Sequence, residues 1–277
     1  MKENRNIGKA IVDVVLMVIA FIVIQVVVES ATFLVYGAVN HVNTAALMQQ
    51  VAEGKLGELI ACTTVMSSLI TIMVFPRLKW SPIDRTYLRS RPWGTLLWAA
   101  ILTLGTILPF EWIYEQLQIQ MSDSSQALFE SVMREPWGYV ALGVLAPVAE
   151  ELVFRGGVLR VLLSLFGKKA HWAAIVLSAI VFGGIHMNLA QGVHGFVMGL
   201  LLGWLYYRTG SLAPGIIVHW VNNSVAYFMF VAMPYMADGK LIDLFHGSER
   251  TMWLGLLCSV CIFVPALLQV ALRTKKR

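Results

Sequence analysis

Glu150, Glu151 and Arg155 fall in the stretch Ala149-Glu150-Glu151-Leu152-Val153-Phe154-Arg155, whose other members are apolar enough to lie in a lipid bilayer. Ionisable groups at membrane depth cost several kcal/mol unless paired or hydrated, so three within seven residues mark a functional site. At about 100° per residue, Arg155 lies roughly 40° from Glu151 but about 140° from Glu150 on a helix. Glu151 and Arg155 are therefore predicted to pair at i,i+4. Glu150 is left for chemistry, on a side that also carries Gly143 and Gly157, where a neighbouring backbone could approach closely. Of the six histidines, His186 and His219 stand well inside apolar runs, and Asn223 follows one turn after His219 on the same face. A carboxylate, two imidazoles and an amide can hold a water, with or without a metal, and polarise a carbonyl.

Other solutions to hydrolysis in a membrane are missing from the chain. There is no H-E-x-x-H, no G-x-S-x-G and no pair of intramembrane aspartates. If the chain cuts peptides, it does so with glutamate and histidine. Cys62, Cys258 and Cys261 lie in apolar runs without a second ligand pair nearby, and are read as small buried apolar side chains.

The elements that must hold these residues are membrane helices. Over 277 residues, 58 % are hydrophobic and 13 % charged; mean hydropathy is +0.71. Soluble domains carry about 25 % charged residues, so the expected fold class is all-α, a polytopic membrane helix bundle. About eight spans are predicted: Ile11 to Val28 (retained rather than cleaved as a signal), Leu56 to Phe75, Trp93 to Tyr114, Gly138 to Leu165, Trp172 to Leu189, Gly192 to Tyr207, Ser211 to Met233 and Met252 to Leu272. Pro109 is expected to kink the third span, and Pro214 to sit in the first turn of the seventh. Gly195, Gly199 and Gly203 form a small-residue stripe suited to close helix packing. Ser122-Asp123-Ser124-Ser125 followed by Leu128, Phe129 and Val132 fits a capped amphipathic helix on the membrane surface.

The net charge of +5 does not point to nucleic acid, because the basic residues lie between apolar runs and no basic-aromatic module is present. With the amino terminus inside, the cytoplasmic segments hold sixteen of the 21 Lys and Arg, including Lys2, Arg5, Lys275, Lys276 and Arg277. The outer segments hold only Lys55, Arg134, Lys240 and Arg250, so both termini are expected in the cytoplasm. Residues 1–137 form amino-terminal helices and a surface segment, 138–230 the core and 231–277 a loop and last helix, all within one membrane domain.

Glu150-Glu151-x-x-x-Arg155, Phe182-x-x-x-His186 and His219-x-x-x-Asn223, in that order on successive hydrophobic helices, resemble the three motifs of the CPBP intramembrane proteases. That family includes CAAX prenyl endopeptidases and bacteriocin-processing or immunity-type membrane proteins. The resemblance implies an eight-helix fold and hydrolysis of a peptide bond in or next to the bilayer. Glu150 would activate water, and His186, His219 and Asn223 would complete the site. Two histidines, a carboxylate and a water would also suit zinc, but Glu150 as a ligand could not act as the base. The expected partners are a membrane-associated peptide or protein substrate and the lipid bilayer, with the bacterial inner membrane as location. A partner-binding or bacteriocin-immunity protein of the same fold is the alternative; a proton-relay transporter is disfavoured because no repeated half with matching broken helices is found.

The charge distribution makes a direct prediction. A cysteine introduced near Arg85 should react with a membrane-impermeant maleimide only from the cytoplasm, and one near Asp243 only from outside. Labelling of both from one side would refute eight spans.

Overall fold

The computed structural model describes residues 6–233 and 240–274 and, among these, contains helices and no strand. Lys2, Arg5, Lys275, Lys276 and Arg277, used above in the charge count, lie outside the described residues. The helices are α1 (Ile7–Asn40), α2 (Thr44–Ala52), α3 (Gly57–Arg77), α4 (Thr86–Arg89), α5 (Trp93–Gln116), α6 (Asp123–Met133), α7 (Ala146–Glu151), α8 (Arg160–Phe166), α9 (His171–Gly184), α10 (Leu189–Thr209), α11 (Ala213–Ala232), α12 (Leu241–Leu244) and α13 (Glu249–Arg273). Two π-helical segments, Tyr139–Leu145 and Leu152–Leu159, flank α7.

Among the described residues six helices, α1, α3, α5, α10, α11 and α13, are long and apolar enough to cross a membrane. The two other predicted spans differ in kind. Residues 139–166 are helical throughout, but their winding alternates between π and α. α9 has only 14 residues, about 21 Å at 1.5 Å per residue, against a hydrocarbon core of about 30 Å. α1 runs well beyond Val28: its 34 residues end at Asn40, and His41, which follows, adopts a left-handed conformation with φ 55°. Asn43 then starts α2 by accepting a hydrogen bond from the Ala46 N–H at 2.9 Å.

The chain divides into two compact units, residues 1–83 with 121–203, and residues 84–120 with 204–277. In the first, α1 packs along α3, α8 and the Leu152–Leu159 segment, while α9 packs on α8 and that same segment. Its core joins Met17 and Phe21 of α1, Phe75 of α3, Phe154, Val158 and Phe182. The Phe21 and Phe154 rings meet edge-on at 5.7 Å, and the Phe154 and Phe182 rings are 5.0 Å apart. Arg160 binds the Trp80 carbonyl through Nη2 and the Gly156 carbonyl through Nε, each at 2.9 Å, which fixes the segment after α3 against this core. The predicted surface helix is α6, capped by the Ser122 hydroxyl, which accepts from the Ser125 N–H.

The second unit is built on α5, against which α11, α12 and α13 pack. Ser259 donates to the Gly105 carbonyl at 3.1 Å, and a Cβ at Gly105 would stand 2.6 Å from the Phe263 nitrogen. Arg208 donates to the Ala271 and Thr274 carbonyls at 2.7 and 3.0 Å, satisfying acceptors at the end of α13. Pro214 does occupy the first turn of α11. Cys258 and Cys261 are exposed on α13 rather than buried, and Cys62 is intermediate.

The small-residue stripe of α10 meets α9 within the first unit. A Cβ at Gly195 would lie 3.2 Å from the Gly183 Cα, one at Gly199 would lie 2.9 Å from the Ala179 Cβ, and one at Gly203 would lie 3.0 Å from Ile175. A Cβ at Gly183 would run into the Gly192 carbonyl, whereas Gly184 has nothing within 4 Å. Gly183→Ala should therefore destabilise the protein by about 1–3 kcal/mol, the usual range for overpacking. Gly184→Ala should be neutral or slightly stabilising. Thermal unfolding of both variants in detergent checks the contrast.

Candidate functional site

The motif helix is wound in an unusual way where the chemistry is concentrated. π-helical winding is rare and recurs at functional sites. Here it covers seven residues before α7 and eight after it, so Glu150 and Glu151 sit on a short α-helical step between two wider turns. Pro147 lies in the first turn of α7 and supplies no backbone N–H. Gly143 and Gly157 do provide close approach, but to side chains: the Tyr139 ring at 2.6 Å and Met17 Sδ at 2.8 Å from their built Cβ positions. Ser178 of α9 donates to the Phe154 carbonyl within the second π segment at 3.3 Å.

The two adjacent glutamates differ in environment. Glu151 is fully buried and its Oε1 lies 2.8 Å from Arg155 Nη1, itself 1 % exposed. Glu150 is half-buried, and the Arg155 charge also acts on it. The Arg155 guanidinium sits over the Phe182 ring, 4.3 Å from its centroid, a cation–π contact that helps to offset its desolvation. Phe182 in turn meets the His186 ring edge-on at 5.3 Å. The first motif is thus joined to the second by Glu151, Arg155, Phe182 and His186 in continuous contact.

His186 does not stand inside a helix. α9 ends at Gly184, His186 occupies the following turn, and Met187 adopts φ 56°. Asn188 then starts α10: its Oδ1 accepts from the Gln191 N–H at 2.9 Å, while its Nδ2 donates to Gln191 Oε1 at 2.6 Å and to the His186 carbonyl at 3.2 Å. Asn188 and Gln191 are the residues that sequence reasoning passed over, although an N-capping residue followed by Gln three positions later is a helix-start signal. His186 Nδ1 lies 3.0 Å from the Phe182 carbonyl. A carbonyl only accepts, so Nδ1 carries the hydrogen and the neutral ring presents its lone pair at Nε2. The ring rests against α10, where a Cβ at Gly195 would be 3.4 Å from His186 Cε1.

His219 and Asn223 belong to the second unit, on α11. His219 is buried at 7 % exposure, and Asn223 is half-buried with its Oδ1 accepting from Asn222 Nδ2 at 3.1 Å. The first unit therefore holds Glu150, Glu151, Arg155 and His186, and the second holds His219 and Asn223. Within neither unit, among the described residues, do three or more His, Cys, Asp or Glu side chains gather as metal ligands. A structural zinc site needs four ligands and a catalytic one three from protein, so the donor set inside each unit does not fit a metal by itself.

Removing the ion pair's anion tests its role. Glu151→Gln strands the Arg155 charge and should cost about 3–5 kcal/mol of stability, whereas replacing both partners by Leu and Met should recover most of that loss. Thermal melts of the single and double variants in detergent measure the difference.

Comparison with known proteins converges on the same stretch. Residues 133–225 match the family model described as Rce1-like, type II CAAX prenyl endopeptidase Rce1-like. The chain is also 25 % identical over 108 residues to the Bacillus subtilis (strain 168) protein named "Putative membrane peptidase YdiL", a match covering 39 % of this chain and 43 % of that relative. The chain thus spans under half the length of that curated relative. No solved structure matches. With six apolar helices the chain is a multi-pass integral membrane protein, and its likeness to the CPBP family, read from Glu150, His186 and His219, is shown over the segment that carries all three motifs.

Proposed function

We propose that the protein is an intramembrane endopeptidase of the CAAX-protease type, hydrolysing a peptide bond in or next to the bilayer with a water activated by Glu150. The observation that carries this reading is the division of labour between adjacent carboxylates: Glu151 is buried against Arg155, while Glu150 is accessible enough for water to reach it. In the proposed reaction the Glu150 carboxylate accepts a proton as the water oxygen adds to the peptide carbonyl carbon. The resulting oxyanion is stabilised by donors from His219 and Asn223, and His186 holds the water through Nε2. The Glu150 proton then passes to the departing amine nitrogen as the C–N bond breaks, which restores the carboxylate.

Zinc at His186 and His219 remains a proposal beside this scheme, and no step is routed through it. When bound, such an ion would polarise the carbonyl and acidify the water. The substrate is a membrane-associated peptide or protein, and the proposed location is a bacterial inner membrane. A partner-binding or immunity role without cleavage is the less favoured reading, since the matching family model describes endopeptidases.

Glu150→Gln should abolish turnover of a membrane peptide substrate while leaving the melting temperature within a degree or so of the parent. His186→Ala and Asn223→Ala should lower kcat by about a hundredfold or more, as removal of a proton-transfer or oxyanion group does. Comparing proteomes of cells carrying the parent or Glu150→Gln protein, by mapping peptide termini, reads the effect without a chosen substrate. Full activity in Glu150→Gln would remove it as the base, and loss of activity on treatment with a zinc chelator, restored by zinc, would establish the metal.

A further inference from the structure

We propose that the first unit carries a second ligand site, away from the protease motifs, that binds the primary ammonium headgroup of a phosphatidylethanolamine. A cavity of about 190 Å3 opens between α1, α3 and α6. Its polar lining is Gln25 and Glu29 of α1 and Thr63, Thr64 and Ser67 of α3, an unusual concentration on two helices that are otherwise strongly apolar.

The hydrogen bonds inside the lining decide what it can hold. Each hydroxyl has one hydrogen, and all three are already given away: Thr63 donates to the Leu59 carbonyl at 2.8 Å, Thr64 to the Ile60 carbonyl at 2.9 Å and Ser67 to the Thr64 carbonyl at 3.2 Å. What these oxygens can present to the cavity is lone pairs. An ionised Glu29 carboxylate is likewise acceptor-only. The site is thus a cluster of acceptors with one negative charge, and its complement is a compact cation with several N–H donors. A primary ammonium has three; a trimethylated headgroup of the same charge has none.

Depth and surroundings select a lipid as the bearer of that ammonium. α1 is about 51 Å long against a hydrocarbon core of about 30 Å, and Glu29 follows the apolar run that fills the core. The carboxylate therefore stands at headgroup level, where an ionised group is tolerated. Val26 and Ile22, about one and two turns before it on the same side of α1, are 52 and 43 % exposed, an apolar track along which acyl chains can lie. Phe33 and Leu128 close the cavity with apolar surface, and Gln25 Nε2 offers a donor for the lipid phosphate.

The test uses the full chain reconstituted in vesicles of phosphatidylcholine and phosphatidylethanolamine with matched acyl chains, extracted in mild detergent, with retained lipid counted by native mass spectrometry. Phosphatidylethanolamine should be retained about tenfold over phosphatidylcholine, the scale of one charge-assisted hydrogen bond. Successive N-methylation of the headgroup should erase the preference stepwise on the unaltered protein. Glu29→Gln and, separately, Thr64→Val should reduce the preference, Glu29→Gln to near parity, with melting temperatures confirming both variants folded. Equal retention of the two lipids, or an undiminished preference in Glu29→Gln, overturns the proposal. So does displacement by ethylammonium or a lysine peptide in vesicles that show no lipid preference, because the site would then serve a free amine or a side chain.

Discussion

Arg155 is a cation that the protein cannot discharge, in a place that water does not reach. Everything around it follows from that constraint. Glu151 stands at contact distance, Phe182 turns its face toward the guanidinium, and the segments bearing these three groups are held in register by the two contacts. A buried pair of this kind adds little net stability compared with an apolar pair of the same volume, but a misplaced partner is penalised heavily. The pair also ties α9 to the motif segment, since Phe182 of α9 lies against the guanidinium. Because Phe182 also bears on His186, the geometry set by the ion pair extends to the second motif.

The wider π winding accommodates that demand. An α-helix has a single rotational relation between residues four apart, whereas a π turn resets it, so two side chains of one rod can be aimed independently. Glu150 lies on the intervening α-helical step and Arg155 within the second π segment. The wider winding also alters which carbonyls have partners along the rod, and Ser178 supplies a hydrogen to one of them, at Phe154.

Much of this was legible in the residues. Apolar runs located the long helices, Ser122 marked the start of α6, Pro214 marked the first turn of α11, and the i,i+4 spacing of Glu151 and Arg155 named the ion pair. Periodicity could not reveal the π segments, since Tyr139–Leu145 and Leu152–Leu159 hold a single charged residue between them, Arg155, and so offer almost no phase to read. It also ran α9 through His186, because Ile185, Met187 and Leu189 are as apolar as the helix before them. The break is written instead in polar details: two glycines, a left-handed Met187, and Asn188 poised to cap α10. α1 runs past Val28 because the end of an apolar run is not the end of a helix, and the backbone continues through Glu29 and Ser30 to Asn40.

The brevity of α9 has a consequence for the medium around it. The helix stops about 9 Å short of the hydrocarbon thickness, but its last carbonyls find donors in the turn that follows: those of Val181, Gly183 and Gly184 accept from the N–H groups of Ile185, His186 and Met187, and that of Phe182 from His186 Nδ1. The mismatch that remains is one of apolar length, which is relieved by local thinning of the bilayer or by packing against neighbouring helices. Lipid chain length is therefore expected to bear on how the turn that holds His186 is seated, a thinner bilayer matching α9 more closely than a thicker one.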